Sequence, residues 1–228
     1  MEAVSAQSTT YNGPQPGSSE QVEAILTELR RLYPYAPCTL IYANPLQLLV
    51  ATQLAAQCTD ERVNKVTPTL FRKYQSVADF AAASQSELEE DIRSTGFYRN
   101  KARNIRACCQ KIITDFGGEV PHTMPELLSL AGVARKTANV VLSNAFGIYE
   151  GFTVDTHNIR LSRRFGWTQH EDAVKIERDL MRIVPQQDWF DASHWLIYHG
   201  RAICLARRPL CEQCTLTHLC PAALVRHP

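Results

Sequence analysis

Apolar residues recur at helical spacing along nearly the whole chain from Ser19 onward. Val22, Ile25, Leu26, Leu29 and Leu32 mark one face of a first helix, and Pro34 lies just past its end. Asn44 and Pro45 read as an N-cap followed by proline at the first helical position. The next stretch, LQLLVATQLAAQC, is apolar nearly all round, which predicts a buried central helix. Its C-terminal end delivers Gln57, Cys58, Thr59 and Asp60 to a surface. Pro68 is expected to split the following helical region in two. Ser84 and Glu87 predict a capping box on a short acidic helix that stops near Gly96. Residues 97–101 read as a loop or first turn. Ala102, Ile105, Cys109, Ile112 and Phe116 then line one side of a helix that ends at Gly117 and Gly118. Thr123 and Glu126 predict a second capping box. A turn at residues 131–134 leads into a helix that opens with Arg135 and Lys136 and closes at Gly147. Thr168 and Glu171 are expected to cap a helix running toward Pro185, and a last long helix covers residues 189–204. Val120 and residues 152–154 are the only weak strand candidates. The fold class is all-α.

Composition alters this picture little. At 228 residues, with 45% hydrophobic and 8% aromatic content, the chain is an ordinary globular protein of one large or two small domains. Net charge is +1, but it is segregated. Residues 79–91 hold five acids and no base, whereas residues 93–136 hold eight bases and three acids, and residues 201–228 four bases and one acid. A near-neutral total can therefore conceal a basic face, although solvated helix faces explain the charges equally well. No apolar run approaches the roughly 18 residues of a membrane span. The N-terminus has neither the basic nor the apolar region of a signal peptide. Its Ser, Thr, Gln, Gly and Pro content predicts a flexible tail over residues 1–19. Without an export signal, close-spaced cysteines read as metal or cluster ligands rather than disulfides.

Four groups carry chemistry. Cys204, Cys211, Cys214 and Cys220 are spaced C-x6-C-x2-C-x5-C, close enough for one four-thiolate site. Zinc and an iron–sulfur cluster both accept such a set, and the spacing alone leaves zinc slightly ahead. The segment holds too few apolar residues to pack alone, so a metal is expected to supply its order. Arg207 and Arg208 lie in its first loop, where cations can touch phosphates. The second group is LAGVARK, residues 130–136. Gly132 permits a tight turn and close approach. Backbone N–H groups from Gly132 to Ala134, and at the helix start after them, can ligate a phosphate oxygen. Arg135 and Lys136 oppose the helix dipole, which a sequence tuned only for stability would avoid. The third group is Lys136 with Asp155, nineteen residues on. A lysine attacks only as the neutral amine. Taken singly, Lys136 is better explained as a phosphate contact and Asp155 as the N-cap of a helix over residues 156–165. The fourth group is Gln57 and Phe97, a polar amide and an apolar wedge of the kind inserted into a base stack. Singly, the first reads as a helix-end polar residue and the second as a core aromatic. His157, His194, Trp195 and His199 read as packing and polar-network residues.

Together these groups resemble the endonuclease III family of DNA glycosylases, within the helix-hairpin-helix superfamily, over about residues 21–220. LAGVARKTANVVL is similar to the family's hairpin motif, VDTHNIR to its aspartate motif, and the four cysteines to its iron–sulfur motif. LAAQCTD and STGFYRNKARNI are similar to its two DNA-facing loops. The resemblance implies an all-α fold of two domains: a six-helix barrel with the hairpin over residues 37–147, and a cluster domain over residues 20–36 and 148–228. It implies one 4Fe-4S cluster on Cys204, Cys211, Cys214 and Cys220 in place of zinc. It implies a bifunctional base-excision enzyme that removes oxidised pyrimidines from damaged double-stranded DNA and cleaves the abasic site by β-elimination through a lysine Schiff base, with Lys136 as nucleophile and Asp155 as its partner. Gln57, Phe97, Gly132, Ala134, Arg135, Arg207 and Arg208 become DNA contacts. A cytoplasmic monomer without membrane attachment is expected, nucleoid-associated if the source is bacterial.

One departure stands out. The family's hairpin reads Leu-Pro-Gly-Val-Gly, and here Ala131 and Ala134 replace the proline and the second glycine. Either the turn keeps negative φ at Ala134, or phosphate binding is weaker. Two rivals remain inside the superfamily. One is a damage-binding protein with little or no activity, to which Ala134 lends weight; the other is a monofunctional adenine glycosylase, against which Lys136 speaks. A third rival is a zinc-stabilised helical scaffold.

Overall fold

The computed structural model describes residues 11–224, and among them all regular structure is helical. The elements in order are α1 (Ser19–Leu32), α2 (Pro45–Leu54), α3 (Asp60–Lys73), α4 (Val77–Ala82), α5 (Gln85–Asp91), α6 (Tyr98–Phe116), α7 (Met124–Leu128), α8 (Arg135–Val141), α9 (Thr156–Arg164), α10 (Ala173–Ile183) and α11 (Trp189–Ala202). A π-helical turn, Leu142–Phe146, extends α8 to Gly147. Short 3-10 turns, Cys211–Gln213, Thr217–Leu219 and Pro221–Leu224, follow Cys204.

Two compact units form, each around its own core. One comprises Met1–Pro37 and Gly151–Pro228, the other Cys38–Glu150. In the second unit α2 is the centre. Asn44 caps it by accepting from Gln47 N–H, Pro45 fills its first turn, and Leu48, Leu49, Ala51 and Leu54 are fully buried. Phe80, Leu88, Ile105 and Leu127 from surrounding helices close over that core. The other core joins Ile25 and Leu29 of α1 to Leu161, Leu180, Trp195 and Leu196 of α9–α11. Leu216 and Leu219, from the cysteine-bearing segment, are buried there too, so that segment has apolar anchors the sequence reading discounted.

Several local expectations are corrected. Pro68 does not split its region: α3 runs unbroken from Asp60 to Lys73. A helix proline deletes one backbone bond, and the buried Val63, Thr67 and Leu70 carry the helix through. Val120 and residues 152–154 form no strand; their hydrophobicity serves burial in the two cores. Asp172, not Thr168, caps α10, its Oδ1 accepting from Val174 and Lys175 N–H at 3.1 and 3.0 Å. Thr168 instead donates to Asp179, and Glu171 pairs with Arg163. A complete reciprocal capping box stands at Ser76 and Asp79. Ser84 does cap α5, through Glu87 N–H at 3.2 Å. At Thr123 the hydroxyl donates to the Glu126 carboxylate rather than taking a backbone N–H.

Of the tail expected over residues 1–19, residues 1–10 lie outside the described ones. Tyr11 donates to Pro14 O at 2.8 Å and Leu219 O at 3.3 Å, and Ser18 caps α1.

Candidate functional site

Among the described residues, three non-glycine residues have positive φ: Gln57 at 54°, Phe97 at 48° and Arg208 at 108°. All three are among the residues expected from the sequence to contact DNA. An L-residue resists this region by about 1–2 kcal/mol, and such strain concentrates at functional positions. Gln57 follows the end of α2, where Cys58 N–H turns back to Ala55 O at 3.1 Å. Phe97 follows Gly96 (φ 70°) and serves as N-cap of α6 without a side-chain cap bond. An aromatic there is not a core residue: Phe97 is 64% exposed. Gln57 is exposed as well.

The structure brings these two residues together with the hairpin turn. Gln57, Phe97 and Gly132 line one cavity of about 210 Å³, with Gln53, Ala56, Asn100, Lys101 and Asn104. Gly132 has φ 74°, and a Cβ added to it would lie 2.9 Å from both Asn104 Cβ and Gln53 Oε1. Only glycine meets both demands. Ala134 is exposed and extended, with φ −95° and ψ 170°, and caps α8 without a side-chain bond. The first alternative for this departure therefore holds: the turn keeps negative φ, and a Cβ is unstrained there. Arg135 and Lys136 are the first two residues of α8, Arg135 half-buried and Lys136 exposed.

Lys101 was not singled out by the sequence reading. It is buried, 6% exposed, and its Nζ donates to Leu54 O at 2.7 Å and Thr95 O at 2.8 Å. Burial lowers its pKa, against a smaller opposing pull from Cys58. Its signal lay in the apolar stripe of α6. Lys101 sits four residues before Ile105 and occupies the same buried face as Ile105, Cys108 and Ile112.

Asp155 belongs to the other unit and caps α9. Its Oδ1 accepts from His157 N–H at 2.7 Å, Asn158 N–H at 2.9 Å and Asn158 Nδ2 at 3.1 Å. Its Oδ2 takes no hydrogen bond among the described residues. The structural role of Asp155 is thus real. The carboxylate is half-buried, with one oxygen still open to a further task.

Cys204, Cys211, Cys214 and Cys220 form no disulfide and line one cavity of about 260 Å³ with Arg164, His199 and apolar side chains. Arg164 reaches Cys204 Sγ at 3.0 Å, and His199 Nε2 lies 3.5 Å from Cys214 Sγ. Burial lowers the His199 pKa to about 4, so this imidazole is neutral at pH 7. Burial also raises the thiol of Cys214, and that of Cys220 to about 11. Neutral thiols are favoured there until a cation offsets the buried charge. Among the described residues no three His, Cys, Asp or Glu side chains are grouped closely enough to hold one metal ion. The four thiols border that one cavity, and both zinc and an iron–sulfur cluster accept four thiolates. Arg207 and Arg208 are exposed on the loop between Cys204 and Cys211.

Residues 50–186 match the model of the HhH-GPD superfamily base excision DNA repair protein family. Endonuclease III of Synechocystis sp. is 59% identical over 204 residues, covering 90% of this chain and 93% of that protein. Endonuclease III of Bacillus subtilis is 48% identical, covering 88% and 92%. A solved trapped endonuclease III–DNA covalent intermediate, an estranged-adenine complex, superposes with a TM-score of 0.87 at 46% identity, covering 90% of this chain and 97% of that one.

Proposed function

The chain belongs to the HhH-GPD superfamily of base excision DNA repair proteins, and on that premise we propose that it removes oxidised pyrimidines from duplex DNA and cleaves the resulting abasic site. The observation that carries this reading is local. Gln57 and Phe97, both strained into left-handed backbone, flank one cavity beside the Gly132 turn. Endonuclease III relatives at up to 59% identity favour a bifunctional glycosylase and lyase over a silent damage binder or an adenine-specific enzyme.

In this reading the damaged nucleotide leaves the stack, at a cost of a few kcal/mol that is smallest for damaged pairs. Gln57 and Phe97 fill the gap. Backbone N–H groups at the Gly132 turn and the start of α8 take a phosphate, with Arg135 beside them; Arg207 and Arg208 take others. The Lys136 amine attacks the sugar C1′, and the C1′–base bond breaks with its electron pair leaving on the base. Asp155 stabilises the positive charge that develops on the sugar. Ring opening leaves a lysine imine. Loss of the C2′ proton and rupture of the C3′–O bond then cut the strand. The four thiols suit one 4Fe-4S cluster. When bound, it supplies iron–thiolate bonds that fix residues 204–220, and no step of the reaction passes through it. We also propose a monomer acting on damaged DNA in the cytoplasm; among the described residues no helix is long and apolar enough to cross a membrane.

The test is borohydride trapping on an oligonucleotide with an abasic site. The chain is expected to cross-link and Lys136→Gln to lose the cross-link entirely while still binding the DNA. Trapping that persists in Lys136→Gln removes this lysine from the mechanism.

A further inference from the structure

The buried ammonium of Lys101 touches the two turns that matter most to this reading. Leu54 is the last residue of α2, and its carbonyl is one of the acceptors a helix end leaves without an intrahelical donor. Cys58 N–H, which would close the next turn, bonds to Ala55 O instead. Three residues after Leu54 comes Gln57. Thr95 ends the 3-10 turn Arg93–Thr95, and two residues after it comes Phe97. Lys101 Nζ bonds to Leu54 O and to Thr95 O. Its own backbone N–H bonds to Phe97 O at 3.1 Å. One residue therefore ties together two strained turns that lie forty positions apart in sequence.

Each turn also has local bonds, Cys58 N–H to Ala55 O in the first and Thr95 N–H and Oγ1–H to Ile92 O in the second, but none of these links the two turns. Gln57 and Phe97 line the cavity of about 210 Å³ together with Gln53, Asn100, Asn104 and Lys101. Leu54 and Thr95 are themselves buried, so their carbonyls depend on a protein donor rather than on water. A helix C-terminus can satisfy its carbonyls locally, with a glycine that turns the chain. Here the donor comes from another helix, 47 residues on, and it is shared with the second turn. A shared donor makes the position of one turn depend on the other.

We propose that Lys101 is a positioning residue: by holding Leu54 O and Thr95 O on one ammonium, it sets the separation of Gln57 and Phe97 at which the pair enters a base stack. The proposal rests on the reading of Gln57 and Phe97 as the inserted pair. Lys101→Met keeps the length and apolar stem of the side chain and removes the donors, leaving two buried carbonyls without their ammonium.

The experiment uses the full-length holoprotein and duplex DNA with 2-aminopurine opposite an oxidised pyrimidine, so that fluorescence reports unstacking and gap filling. Single-turnover base release is measured on the same duplex, and imine trapping on a single-stranded abasic oligonucleotide. In Lys101→Met the fluorescence change is expected to collapse, and base release to fall at least tenfold further than trapping. In a Phe97→Ala background, adding Lys101→Met should cost less than threefold more, because the pair is already broken. Equal losses in base release and trapping, or full multiplicative losses in the double variant, overturn the proposal by reducing Lys101 to a general structural role. If Lys101→Met does not fold, Lys101→Gln, which keeps one donor group, is read by the same criteria. Failure of the underlying reading looks different: the unsubstituted protein would then give no fluorescence change or base release at all.

Discussion

Asp155 shows how one side chain holds two roles that are separable by experiment. Its Oδ1 satisfies two N–H groups at the start of α9, and Oδ2 is left over. Asparagine caps a helix about as well as aspartate, whereas alanine costs about 1 kcal/mol. Asp155→Asn should therefore keep the thermal midpoint within a degree or two (about 0.5 kcal/mol or less for a change that preserves the cap), yet lower base release by two orders of magnitude or more, as loss of a charge at a developing cation does. Asp155→Ala should lose both. Equal activity in Asp155→Asn and the unsubstituted protein would leave the cap as the whole explanation of the residue. The cap itself was legible in the sequence and is present in the structure, because capping is a local property of Asp155 and the residues after it. That one oxygen stays open needed coordinates.

At the scale of elements, the hairpin tests how much glycine a phosphate-binding turn requires. Gly132 has positive φ and no room for a methyl group, whereas Ala134 has neither constraint. Gly132→Ala should cost about 1–2 kcal/mol in stability from φ alone, more from the contact with Asn104, and weaken DNA binding. Ala134→Gly should leave DNA affinity unchanged and lower stability by about 0.5–1 kcal/mol through added freedom in the unfolded chain. Tighter binding in Ala134→Gly, in a fluorescence anisotropy titration, would show that the Cβ does obstruct the phosphate. The helices themselves were largely legible, since caps at Asn44 and Ser84 and the stripe of α6 are written within a few residues of each other. Pro68 misled because its penalty is local and the burial that overrides it is not. Lys101 escaped notice for a related reason. A lysine in a basic stretch reads as surface, and its two acceptors come from α2 and from a 3-10 turn that no short-range pattern connects to it.

For the whole molecule, the consequence of two cores is that loss of the proposed cluster should be felt unequally. Residues 204–220 contribute Leu216, Leu219 and Cys220 to the core built on α1 and α9–α11, and none to the core built on α2 and α6. Each leucine is worth about 1.5–3 kcal/mol when fully buried. Without iron–thiolate bonds, their burial must offset the entropy of ordering the whole segment, about 1–2 kcal/mol per residue for backbone alone. Two leucines fall well short of that. Cys214→Ser, or removal of iron by oxidation and chelation, should therefore abolish the visible absorbance and release residues 204–220. Amide exchange in α1 and α9 should accelerate at least tenfold, while that in α2 and α6 stays within about twofold, because stability is distributed by cooperative unit. Exchange that accelerates equally in both sets would show that the two cores unfold as one. Exchange unchanged in α1 and α9 after complete iron loss would show that the segment is held by its apolar anchors and the Arg164 contacts to Cys204 O, Leu205 O and Ala206 O, without help from a metal.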